Sequence, residues 1–145
     1  MMNRLHIGCG EKKIDGYTNI DILDYGQEVQ ADAFQYLTSI AKTAPGSIEE
    51  IRAEHFLEHF AQPIVIDYLN IANECLKVGG KFNIVVPGWK RPEAYFLVHF
   101  TVFNKSTFEM LGVKEFCEPY GIKTWRVTRV VENERGDIHC QLEKI

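Results

Sequence analysis

No apolar run in this sequence approaches the roughly 18 residues that a membrane span requires. The opening stretch, MMNRLHIGCG, lacks the apolar core of a secretory signal. Cysteine is scarce: Cys9, Cys75, Cys117 and Cys140 are scattered, with neither the paired spacing of a metal site nor the density of a disulfide scaffold. They read as reduced thiols in a cytoplasmic protein. Positive charge is in deficit, with a net charge of −4, which argues against broad nucleic-acid binding because that draws most of its affinity from phosphate neutralisation. The basic stretches Lys12–Lys13, Lys90–Arg91 and Lys123 to Arg129 read as solvated surface. Repeats, low-complexity tracts and linkers are also missing. A single domain over 1–145 is the expectation, with a core large enough to need no disulfide.

What is present is an alternation of short apolar runs and helical stripes. Arg4 to Ile7, Tyr17 to Ile22 and Glu28 to Ala31 read as strands, followed by a helix over Ala33 to Lys42 with Phe34, Leu37 and Ile40 on one face. APGS breaks the chain, and Ile48 to Ala53 is a fourth strand. Pro63 suits the first turn of a second helix, whose stripe runs through Ile64, Tyr68, Ile71, Cys75 and Leu76 and which ends at Lys77. Val78-Gly79-Gly80 then turns into a buried strand, Lys81 to Val86. Arg91 to Lys114 reads as helical or irregular. Thr124 to Val131 and Asp137 to Leu142 alternate around a turn at Arg135-Gly136 and predict an antiparallel hairpin. The whole is an α/β pattern with a mainly parallel, twisted sheet.

The first turn carries the functional signal. Gly8 and Gly10 follow the first strand, where glycines permit a sharp turn and close approach of a ligand to the backbone. The third glycine of a dinucleotide fingerprint is missing, since Lys12 and Lys13 stand where it would fall. Asp21 ends the second strand, where a carboxylate can accept hydrogen bonds from ribose hydroxyls. Asp32 precedes the helix, suited to cap it or to meet an adenine amino group. Only Glu11 to Gly16 lie between Gly10 and the second strand. Six residues reach about 20 Å when extended. That spans back along a strand of roughly 15 Å, but leaves the first crossover helix shortened or absent. One flank of the site is therefore expected to be open, covered by the N-terminal residues, a second copy of the chain or a partner protein.

EEIRAEHFLEHF follows the fourth strand, so that Glu54, His55, Glu58 and His59 fall where strand ends of an open sheet meet ligands. His55 and His59 are spaced as helical metal ligands would be. Phe56 breaks the H-E-x-x-H pattern, and no third ligand is evident nearby, so no metal is expected.

Taken in order, these pieces resemble the class I methyltransferases that use S-adenosylmethionine (SAM), and most of all small type 11-like members. The residues that carry the resemblance are Leu5 to Gly10, Gly16 to Asp21, Asp32, His55 to His59 and Leu76 to Pro87. The resemblance implies a Rossmann-like sheet whose terminal hairpin forms the sixth and seventh strands. It implies SAM as cofactor, with Gly8, Cys9 and Gly10 against the methionine part. Asp21 and Ile22 would lie at the ribose, Asp32 and Ala33 at the adenine end, and Glu54 and His55 on the methyl-donor side. His6 stands at a position often acidic in that family, beside the SAM amino group. The reaction implied is in-line methyl transfer to a small-molecule or glycan acceptor, releasing S-adenosylhomocysteine (SAH). His55, Glu58 and His59 are the candidate general bases. Trp89, Tyr95, His99 and Phe100 are candidates for an acceptor wall. The competing reading is a module of the same fold that binds cofactor or a protein partner without catalysis. A nicotinamide enzyme is disfavoured by the missing glycine.

Overall fold

The structure, a computed structural model, describes residues 3–145. Seven strands form one sheet in the order β3-β2-β1-β4-β5-β7-β6. In chain order they are β1 (Arg4–Ile7), β2 (Thr18–Asp21), β3 (Val29–Gln30), β4 (Ile48–Glu54), β5 (Leu76–Pro87), β6 (Arg126–Glu132) and β7 (Asp137–Glu143). The first five pair in parallel, and β7 pairs antiparallel with both β5 and β6. The Rossmann-like α/β expectation and its terminal hairpin are what the chain adopts.

Helix α1 (Ala33–Thr43) begins because the Asp32 carboxylate accepts a hydrogen bond from the Gln35 N–H at 3.0 Å. It buries Ala33 and Leu37 and stops before Pro45-Gly46, a pair that cannot extend it. Helix α2 (Gln62–Cys75) carries Pro63 in its first turn and buries Val65, Tyr68, Leu69 and Ala72. Its end differs from the expected one. Leu76 is already extended and pairs with Ile48, so α2 passes into β5 without a loop. The Val78-Gly79-Gly80 segment is an irregularity inside the strand rather than a turn before it, with Gly79 at φ 81°. The stretch after β5 holds only short pieces, α3 (Lys105–Glu109), α4 (Lys114–Cys117) and single 3₁₀ turns.

The core lies on one face of the sheet. Leu5, Ile7, Ile20, Ile51, Phe82, Ile84 and Leu142 point towards α1 and α2, with Trp125 and Phe108 in the same cluster. Among the described residues the other face carries no helix. The alternate side chains there are polar and tied to one another. Arg52 reaches Glu50 at 3.4 Å and Glu54 at 3.8 Å, and the Tyr17 hydroxyl donates to Glu50. Gln141 donates to Asn83 at 2.9 Å, and Lys81 and Arg126 both bind Glu143. A face clothed this way tolerates water, so the sheet needs no second helical layer to hide apolar surface.

The missing first crossover helix has a specific replacement. Asn19 on β2 is 2 % exposed and faces the bare side. Its Oδ1 accepts the Ile14 N–H at 2.9 Å, and its Nδ2 donates to the carbonyls of Ile14 and Tyr17 and to the Glu28 carboxylate. The Asn19 backbone N–H reaches the same Glu28 oxygen at 2.8 Å. His6 Nδ1 lies 2.9 Å from Asn19 Oδ1 and closes the network from β1. One side chain thus fastens the helix-free crossing from Gly10 to Tyr17 against the bare face of the sheet.

Candidate cofactor site

A cleft of about 500 Å³ opens at the carboxyl ends of β1, β2 and β4, the place where open parallel sheets bind ligands. Gly8, Asp21, Ile22, Asp32, Ala33, His55 and His59 line it. These come from four separate sequence stretches, and the fold brings them together.

The two glycines act differently. Both have positive φ, 65° at Gly8 and 54° at Gly10. A Cβ at Gly8 would lie 2.1 Å from the Phe56 ring, so this glycine lets the turn after β4 pack against the turn after β1. A Cβ at Gly10 would meet nothing within 4 Å, so the space beside this glycine is empty. The turn is set by Asp21, whose Oδ2 accepts the Gly10 N–H at 2.9 Å while Oδ1 accepts the Leu23 N–H at 3.0 Å. An ionised carboxylate has about four acceptor positions. Two hold the protein, and the rest are available to hydroxyl donors.

Next to Asp21, Ile22 and Leu23 are 62 % and 58 % exposed, an apolar lip on the cleft. The inner wall is aromatic: Phe56 packs edge-on against Phe60 and Tyr68, which are tilted against each other, with centroids 4.9 to 5.2 Å apart, and Phe34 adds to Tyr68 at 5.4 Å. The sequence reading passed over Leu23, Tyr25, Phe56, Phe60 and Tyr68. Leu23 had a signal, an apolar pair directly after a strand end. Tyr68 had none, because it sits in the ordinary buried stripe of α2.

Four expected cofactor residues are not among those lining the cleft: His6, Cys9, Gly10 and Glu54. His6 is 1 % exposed and points to the bare face with Asn19. Glu54 alternates to that same face, pairing with Arg52 and lying 3.9 Å from His6. Cys9 is buried beneath the turn, its N–H bonded to the Ile20 carbonyl, and burial raises its thiol pKa.

His55 follows β4 with φ 52°, the only non-glycine among the described residues in the left-handed region. Such strain persists where the surroundings dictate it. Here the His55 N–H is held by the Val85 carbonyl at 2.8 Å. Its ring lies between two buried carboxyl groups, 3.8 Å from Glu58 and 4.0 Å from Asp137. Burial lowers the His55 pKa against the pull of Asp137. Glu58 is 1 % exposed, and burial pushes its carboxyl up to about 7. Asp137 is itself tied to Arg91 at 2.5 Å. Trp89, Tyr95 and Phe100, the expected acceptor wall, are 49 %, 60 % and 66 % exposed on the loop after β5, so they do not belong to the core. A separate apolar cavity of about 490 Å³, lined by Val65, Leu69, Phe108 and Leu111, lies on the far side of α2 and shares none of the cleft's residues.

No family model matches the chain, and no curated protein matches it by sequence. Solved structures do match. A SAM-dependent methyltransferase from Archaeoglobus fulgidus superposes with a TM-score of 0.70 at 16 % identity, over 99 % of this chain and 86 % of that one. The 1,6-didemethyltoxoflavin-N1-methyltransferase of Burkholderia thailandensis, solved with SAH bound, gives 0.66 at 14 % identity, over 97 % and 70 %. A SAM-dependent methyltransferase from Methanosarcina mazei gives 0.63 at 16 % identity, over 99 % and 92 %. The chain therefore has the Rossmann-like fold found in SAM-dependent methyltransferases. The type 11-like subgroup is a finer reading than this likeness of fold.

Proposed function

We propose that the protein is a SAM-dependent methyltransferase of the type 11-like group, acting on a small-molecule or glycan acceptor. The observation that carries this is the arrangement at the strand ends: Asp21 with unused acceptor positions, the open space beside the Gly10 turn, and the exposed apolar lip of Ile22 and Leu23. That set suits a ribose, an amino-acid moiety and a purine face. Asp32 spends one carboxylate oxygen on the α1 cap and has the other for an amino donor. When bound, SAM supplies an electrophilic sulfonium methyl. The protein's part is orientation, exclusion of water by the aromatic wall, and acceptance of a proton from an acceptor hydroxyl. His55 and His59 line the cleft, and His55 is the group able to take that proton, whereas Glu58 is buried behind them. The four cysteines are all buried and unpaired, which fits a reducing compartment such as the cytoplasm. No helix among the described residues is long and apolar enough to cross a membrane.

The bare sheet face and the exposed aromatics after β5 favour a second reading, in which a partner docks and the fold binds cofactor without turnover. Incubation with SAM and a panel of hydroxyl- and amine-bearing acceptors separates the two. SAH accumulating with at least one acceptor is the expected result. SAH binding without turnover across the panel favours the non-catalytic module, and failure to bind SAH removes both.

A further inference from the structure

We infer that Glu58, His59 and His99 form a binding site for one divalent transition-metal ion at the rim of the cleft. The histidine pair suggested by sequence spacing, His55 and His59, is not the one the fold assembles. His55 is occupied between Glu58 and Asp137, and the third ligand comes from the loop after β5. One candidate ligand atom on each of Glu58, His59 and His99 lies within 4.8 Å of the others. Atoms sharing a tetrahedral ion at about 2.1 Å sit roughly 3.4 Å apart. Binding an ion therefore requires the three groups to draw together by up to about 1.4 Å.

Three independent features prepare the group for an ion. First, both histidines are held in one tautomer. His59 Nδ1 lies 3.1 Å from the Phe56 carbonyl, and His99 Nδ1 lies 2.5 Å from the Glu93 carbonyl. A carbonyl only accepts, so each Nδ1 carries the proton and each Nε2 presents a lone pair. This is the way metal-binding imidazoles are normally oriented. Second, Glu58 is 1 % exposed and its Oε1 has no hydrogen-bond partner, a cost that a coordinated cation would remove. Third, the loop carrying His99 is stapled to the turn carrying the other two. The Phe100 and Thr101 N–H groups both donate to the Glu58 carbonyl, at 2.8 and 3.3 Å, and the Thr101 hydroxyl donates to the Phe60 carbonyl at 2.5 Å.

Two imidazoles and one carboxylate select ions of the zinc, iron or cobalt type over magnesium or calcium, and leave coordination positions open. Because His59 also lines the cleft, the open side faces an entering molecule. An oxygen-bearing acceptor group is the ligand class this side would take, polarised by the ion. That last step rests on the methyl-transfer reading, while metal binding itself does not.

The test is titration of Co²⁺ into the full chain without cofactor, read by visible absorption and by isothermal heat, with Zn²⁺ as competitor. The expected result is one site per chain, displaced by Zn²⁺. His99→Ala, on an exposed loop, should weaken it by at least the roughly tenfold to hundredfold that loss of a merely orienting group costs. Glu58→Gln should do the same, while His55→Ala retains binding. Absence of saturable Co²⁺ binding by the wild-type chain, or binding indifferent to His99→Ala, overturns the proposal. Binding lost in His55→Ala but kept in His99→Ala would move the ion to the Asp137 side and overturn it equally. SAH titration of the same samples reads the methyltransferase proposal separately.

Discussion

Replacing Asn19 with alanine is expected to destabilise the protein by about 3 kcal/mol, a large share of the roughly 5–15 kcal/mol that holds a domain folded. The reason is that Asn19 does the work of an absent helix. Its side chain is buried and satisfies both the N–H and the carbonyl of Ile14, the Tyr17 carbonyl and the Glu28 carboxylate. Alanine leaves the Ile14 N–H and the Ile14 and Tyr17 carbonyls unpaired and half-buried, with no helix above to shelter them, and each buried orphan costs about 1–3 kcal/mol, whereas the exposed Glu28 keeps the backbone N–H and regains water. Some recover water as the loop lifts, which keeps the total below the sum. Urea unfolding measures it as a shift in midpoint. A loss under about 1 kcal/mol would mean the crossing is held by other contacts.

The same network sets an acid limb. The N–H groups of Asn19 hold the Glu28 carboxyl below its ordinary 4.5. A carboxyl with a depressed folded pKa contributes stability present above its unfolded value and lost as pH falls through the folded one. That component of acid sensitivity should be reduced in Asn19→Ala but not abolished, because alanine keeps the backbone N–H that donates to Glu28 and loses only the side-chain one.

Gly8→Ala is expected to cost about 3 kcal/mol, and Gly10→Ala only about 1 kcal/mol. Both positions have positive φ, so both variants incur left-handed strain. Only at Gly8 does the new methyl collide with another side chain, the Phe56 ring, itself packed against Phe60 and Tyr68. The ring must move, and the aromatic wall of the cleft moves with it. Gly10→Ala should keep near-normal stability yet impair SAH binding, because its methyl enters open space beside Asp21. Equal stability losses would show that the two glycines have one role rather than two. Thermal melts with and without SAH separate the effects.

The elements legible in the sequence were those governed by local rules. Asp32 before an apolar stripe marked α1, Pro63 marked α2, and strict alternation around Arg135-Gly136 marked the hairpin. The short link from Gly10 to Tyr17 correctly announced a missing helix by chain length alone. What replaces that helix was not legible, because Asn19 acts through partners on three different segments and looks like any polar residue in a strand. The end of α2 was misjudged since nothing local distinguishes Leu76 as the last helical residue from Leu76 as the first paired one. Its partner, Ile48, decides that. Within the site, Asp21 and the glycines announced themselves by position after strands. His6 and Glu54 were assigned to the cofactor from their place in a motif, and strand alternation turns both to the bare face. His99 was out of reach because only the staple between the Glu58 carbonyl and the 100–101 amides brings it beside Glu58 and His59.

The account rests on Asp21 binding a ribose while it holds the glycine turn. Calorimetric titration of SAH into the wild-type chain and into Asp21→Ala tests that most directly. The account predicts one site of micromolar affinity, weakened by about 1–3 kcal/mol in the variant, the scale of losing hydrogen bonds to a charged group. A wild-type chain that gives neither heat nor a thermal shift with SAH, or a variant that binds SAH as tightly as the wild type, would contradict it.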